Sequence, residues 1–67
     1  MEQQMRQLIN DVFYDLEDAI AGTGGKLDVE ILADVLGDRM HDYSEEYRNT
    51  PWYIRRAMTL QIAEEYI

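Results

Sequence analysis

Sixty-seven residues make one domain, and a chain this short buries only about 60% of the surface its unfolded form exposes. With no Cys and one His, it has no disulfide staples, thiolate metal sites or thiol nucleophiles, and no zinc site built from several imidazoles of one chain. Fourteen acids against six bases give a net charge of −8, which repels nucleic acid and anionic lipid and permits a basic protein as partner.

In chain order, residues 1–21 predict one amphipathic helix. Met5, Leu8, Ile9, Val12, Phe13, Leu16, Ala19 and Ile20 keep the i, i+3, i+4, i+7 rhythm of a single buried face. Glu2 suits the first turn, where free N–H groups carry partial positive charge. Gly22-Thr23-Gly24-Gly25 ends the helix, because glycine takes the left-handed backbone that helix ends often need.

After a glycine-rich turn over 22–27, Asp28 is placed to cap a second helix over 28–48. Its stripe is Ile31, Leu32, Val35, Leu36, Met40, Tyr43 and Tyr47. Gly37 is one point at which this helix could break, at a typical cost of about 1 kcal/mol against Ala. Asp42, with Glu45 three places on, is another, by its capping-box spacing. The stripe keeps its phase across the glycine, so a single helix is the expectation.

Thr50-Pro51 then predicts the start of a third helix over 51–67, with Thr50 as cap and Pro51 at the first helical position. Trp52, Tyr53, Ile54, Ala57, Met58, Leu60, Ile62, Ala63, Tyr66 and Ile67 lie nearly all round its wheel. A helix apolar on every side is normally covered on every side, and one chain has only two other helices to do it. The expected architecture is therefore an all-α, three-helix antiparallel bundle that self-associates, as a dimer, through its C-terminal helix. A single core of this size rarely supplies more than roughly 3–5 kcal/mol, which is a second reason to expect association. No apolar run approaches the ~20 residues needed to cross a bilayer, and MEQQMRQL is not a signal peptide, so a cytoplasmic protein is expected.

Motifs that carry chemistry are thin. The stretch AIAGTGGKLDVEIL has the outline of a calcium-binding helix–loop–helix. With Gly25 set on the turn glycine, however, Ile20, Gly22 and Gly24 stand where oxygen ligands belong, and Ile31 stands where the bidentate Glu should be. Asp38-x-x-His41 has the spacing of a carboxylate-bridged di-metal bundle, but a site needs two such pairs and more inward carboxylates. Ser44, the only serine, has acids around it and reads as a helix cap or surface hydroxyl rather than a nucleophile with a base and an oxyanion hole. No cofactor, metal or catalytic site is expected.

Two surface patterns remain. Asp34, Asp38, Asp42 and Glu45 form an acidic line on the second helix, which either solubilises the protein or docks on a basic site. Tyr43, Tyr47, Arg48, Trp52, Tyr53, Arg55 and Arg56 form an aromatic–arginine cluster of the residue types most enriched at binding hot spots. Arg55 and Arg56 also sit near a helix N-terminus, where positive charge is mildly unfavourable, so helix stability does not account for them. The sequence thus points to a small acidic regulator, adaptor or inhibitor that binds another protein. The alternatives are an acidic mimic blocking a basic nucleic-acid site, and a purely structural homo-oligomer.

Overall fold

The computed structural model describes residues 1–67, and the fold is all-helical with four helices. Helix α1 spans Glu2–Ala21 and turns the expected stripe inward: Met5, Ile9 and Val12 are buried, while Leu8, Phe13, Leu16 and Ile20 are half-buried at its margins. Ala19, at the edge of the stripe, is exposed. The helix ends where the Thr23 hydroxyl and backbone N–H both donate to the Ile20 carbonyl, at 2.8 and 2.9 Å. Gly24, with φ of 75°, then takes the left-handed conformation that reverses the chain.

Helix α2 spans Val29–Tyr43, and the Asp28 carboxylate accepts from the Ile31 N–H at 2.8 Å, as its capping position implies. The helix does not continue to residue 48, nor does it break at Gly37 or Asp42. It stops at Ser44, and a separate short helix, α3, spans Glu45–Asn49. The Ser44 backbone N–H bonds the Met40 carbonyl at 2.9 Å, closing α2, while its side-chain oxygen accepts from the Tyr47 N–H at 3.1 Å, opening α3. One residue caps both helices. Asp42, Tyr43 and Ser44 are weak helix formers, and a serine hydroxyl competes with the helical ladder for backbone groups, so the chain turns here. Arg48 then reaches back, donating to the His41 carbonyl at 2.6 Å and satisfying an acceptor that the end of α2 leaves free.

Helix α4 spans Trp52–Tyr66, and its cap is Pro51, not Thr50. The Thr50 hydroxyl is engaged by the Glu46 carbonyl at 2.7 Å, which makes Thr50 the end of α3. A residue before proline is pushed into extended backbone, and the Pro51 carbonyl accepts from the Ile54 and Arg55 N–H groups at 3.0 and 3.1 Å. The three-helix expectation thus becomes four helical elements, because Ser44 and Pro51 each break the chain within eight residues of one another.

The core joins Met5, Ile9 and Val12 of α1 to Leu32, Ala33, Leu36 and Met40 of α2, to Tyr47 of α3, and to Ile62 and Ala63 of α4. Helix α4 lies along α2, with Trp52 across from His41 and Arg56 paired with Asp34 further along. Its far end meets α1: Arg6 pairs with Glu65 at 2.6 Å, the Tyr66 hydroxyl donates to the Asn10 side chain, and the Phe13 and Tyr66 rings lie 4.7 Å apart. Within the one chain this helix is covered only in part. Thr59, Ile62 and Ala63 are buried, but Trp52, Tyr53 and Ile54 of the first turn stand open. No helix is long and apolar enough to cross a membrane.

Candidate partner-binding site

Residues of α2, α3 and α4 together line an open cleft of about 290 Å³. One wall is Asp34, Asp38 and His41 of α2, the other Trp52, Arg55 and Arg56 of α4, and Gly37, Tyr47 and Thr59 form its base. Two patterns that are separate in sequence, the acidic line and the aromatic–arginine cluster, therefore face each other.

Gly37 makes this geometry. A Cβ at that position would lie 2.9 Å from the Tyr47 hydroxyl, so only glycine lets the phenol rest against α2. The Tyr47 side chain is buried, with 7% of the residue exposed, and its hydroxyl forms no hydrogen bond within the protein. Burial pushes the phenol pKa up, Arg55 opposes that, Asp38 adds to it, and Arg56 opposes again. The Arg55 guanidinium carbon sits 5.2 Å from the centre of the Tyr47 ring, a cation–π contact.

The seven residues of the aromatic–arginine cluster take different roles. Tyr43, Trp52 and Tyr53 point outward at 66%, 70% and 61% exposure, and the Trp52 and Tyr53 rings meet edge to face at 6.1 Å. Tyr47 belongs to the core instead, offering only its hydroxyl edge to the cleft. Arg48 serves the end of α2, and Arg56 is tied to Asp34. Arg55 has no carboxylate partner: the five ion pairs of the chain use Arg6 twice, Arg39, Arg56 and the amino terminus.

Along the acidic line, Asp34 is neutralised by Arg56, while Asp38, Asp42 and Glu45 stand in no ion pair. Of those three only Asp38 reaches the cleft. The sequence did not single out His41, Ala33 or Thr59 as cleft residues, and it left Gly37 as a candidate break. Its one available signal was a glycine kept inside a helix at an energetic cost, which often marks a close approach. No group of three or more His, Cys, Asp or Glu side chains is placed to hold a metal ion. The Ser44 side chain is engaged as the α3 cap. A second hollow, about 420 Å³, lies at the glycine turn among Glu17, Ile20, Lys26 and their neighbours, and takes in none of the cluster residues.

Comparison with known protein families, with curated proteins and with solved structures finds no match to the chain.

Proposed function

We propose that this protein is a small acidic regulator, adaptor or inhibitor without catalytic activity. It binds another protein through Tyr43, Trp52, Tyr53 and Arg55 at the open end of α4. One observation carries the reading. Trp52 lies on the same face of α4 as Thr59 and Ala63, which are buried, yet 70% of it is exposed. An aromatic ring of this kind offers 150–250 Å² of contact area, and burying apolar surface contributes about 25 cal/mol per Å². Trp, Tyr and Arg placed together beside a cleft match the anchors that dominate protein interfaces.

The test compares Trp52→Ala and Arg55→Glu with the parent chain in affinity capture, with circular dichroism as a control. Capture is expected to be lost while helicity stays. Loss of helicity in both variants, or undiminished capture by both, would sink the surface role. In a self-associating form of this reading, the partner is a second copy packed on the same turn of α4, and sedimentation would then show a dimer that Trp52→Ala dissociates.

A second reading has its own support. Asp38, Asp42 and Glu45 carry charge that no base in the chain offsets, as expected of an acidic mimic that blocks a basic nucleic-acid site. Binding of that type weakens steeply with salt and with Asp38→Asn and Asp42→Asn together. Salt-insensitive binding removes it.

A further inference from the structure

The cleft beside Trp52 holds two side chains with unused donors, Arg55 and Tyr47, and one unpaired carboxylate, Asp38. Arg55 is half-buried, held over the Tyr47 ring, and its guanidinium N–H groups meet no carboxylate. A guanidinium offers five donors in a planar fork. The Tyr47 hydroxyl sits on a side chain more than nine-tenths buried, opens on the cleft, and has no partner. The hydroxyl oxygen itself is not sealed from the cleft, so an acceptor on a partner can reach it. The charged groups facing the phenol are Arg55 and Arg56 from α4 and Asp38 from α2. Arg55 acts on it more strongly than Asp38, and Arg56 adds to Arg55. Asp34 also lines the cleft but is taken up by Arg56, so Arg55 and Asp38 are the two charges there without a partner, in a protein that carries −8 as a whole.

We infer that the cleft receives the carboxylate side chain of a Glu or Asp on the partner protein, with Arg55 and Tyr47 donating to its oxygens and Trp52 packing on its stem. The inference rests on the proposed protein-binding function and adds the chemistry by which the partner is chosen. A carboxylate matches the arginine fork in two parallel hydrogen bonds, and the phenol O–H supplies a third to whichever oxygen faces it. Because the outer surface is acidic, the chosen segment carries that carboxylate among basic residues. Lysines on either side would meet Asp38, Asp42 and Glu45, none of which is paired.

The experiment is a titration of the ¹⁵N-labelled full chain with capped tripeptides Lys-Xaa-Lys, where Xaa is Glu, Gln or Lys. The signals read are the Gly37 amide, the Trp52 indole N–H and the Arg55 side-chain N–H. The Glu peptide is expected to bind about three- to tenfold more tightly than the Gln peptide, as charge-assisted pairing implies. Arg55→Gln should abolish that preference, and Arg55→Lys, which keeps charge without the fork, should restore only part of it. Tyr47→Phe should reduce the preference further, and Asp38→Asn, a change at an exposed position, should strengthen it.

A cation-binding site predicts the opposite: the Lys peptide would bind best, and Asp38→Asn would weaken it. That result overturns the inference. So does a Glu preference unchanged in Arg55→Gln, a response to inorganic phosphate as large as that to the Glu peptide, or no response to any peptide. If the peptides fail while Trp52→Ala still loses a captured partner, the carboxylate assignment falls and the binding function stands. If the Glu peptide binds as expected but Trp52→Ala captures as before, the converse holds.

Discussion

The two ends of α4 are built from similar residues and meet different fates. At its C-terminal end, Ile62 and Ala63 are buried and Tyr66 packs on Phe13 of α1, leaving only the capping Ile67 exposed among the apolar groups there. At its N-terminal end, Trp52, Tyr53 and Ile54 precede the point where α1 and α2 can cover them, and they face solvent. The excess of apolar surface in this helix is therefore not spread round its circumference. Its largest share, from Trp52, Tyr53 and Ile54, lies in the first turn, beside a cleft whose walls carry charge. A helix that looks apolar on every side can be closed at one end and open at the other, and the open end is where recognition is expected.

The sharpest way to break this comparison is to truncate one residue at each end. Ile62→Ala should cost about 2–5 kcal/mol, as buried Ile-to-Ala changes do, enough to unfold a domain whose whole core supplies roughly 3–5 kcal/mol. Trp52→Ala should stay within about 0.5 kcal/mol of the parent, as exposed positions do. Urea unfolding followed by circular dichroism reads both, and equal losses would erase the distinction between the ends.

A second test sharpens the role of the cleft base. Gly37→Ala drives a methyl group into the Tyr47 hydroxyl and should cost about 1–3 kcal/mol despite the better helix propensity of Ala. In a Tyr47→Phe background the same change has room, because the next ring atom is 4.0 Å away, and there it should stabilise. A change of sign between the two backgrounds, measured by thermal unfolding, is the expected result.

The capping residue comes next. Ser44→Ala should cost about 1 kcal/mol and loosen α3, and with it the seat of Tyr47.

The pH dependence follows from the two shifted acids. Burial raises the Tyr47 pKa above its ordinary 10.0, so the neutral phenol contributes stability that is present below pH 10.0 and is lost as pH climbs through the raised value. Tyr47→Phe should remove that alkaline loss. The hydrogen bond from Arg6 lowers the Glu65 pKa from 4.5, so its contribution is present above pH 4.5 and fades as pH falls through the lowered value. Because that pair is fully exposed, Glu65→Gln should give the smallest change of the set, visible mainly in acid unfolding and suppressed by salt.

Helix α1, the Asp28 cap and the buried Leu32, Leu36 and Met40 of α2 could be read from spacing, because they depend on local periodicity and local hydrogen bonds. The α2 stripe also took in Ile31 and Tyr43, which are exposed, and left out Ala33, which is buried. The division at Ser44 was masked by Tyr47, which keeps the phase of the α2 stripe although it belongs to a different helix. The pairing of Gly37 with Tyr47 depends on a fold-back across a turn, which no one-dimensional pattern carries. For the site, residue type identified the surplus of Trp, Tyr and Arg. Type could not tell that Arg48 closes a helix, that Arg56 is held by Asp34, or that the Arg55 guanidinium makes neither an ion pair nor a hydrogen bond. Those assignments follow from partners brought together by the fold.

Since Trp52 is the only tryptophan, its fluorescence reports the open end of α4 without labelling. Acrylamide quenching of the dilute native chain should be nearly as efficient as in the urea-unfolded chain, and should fall only when a partner or a second copy covers the ring. Strong protection from quenching in the dilute monomer would place the indole inside the fold and contradict the account.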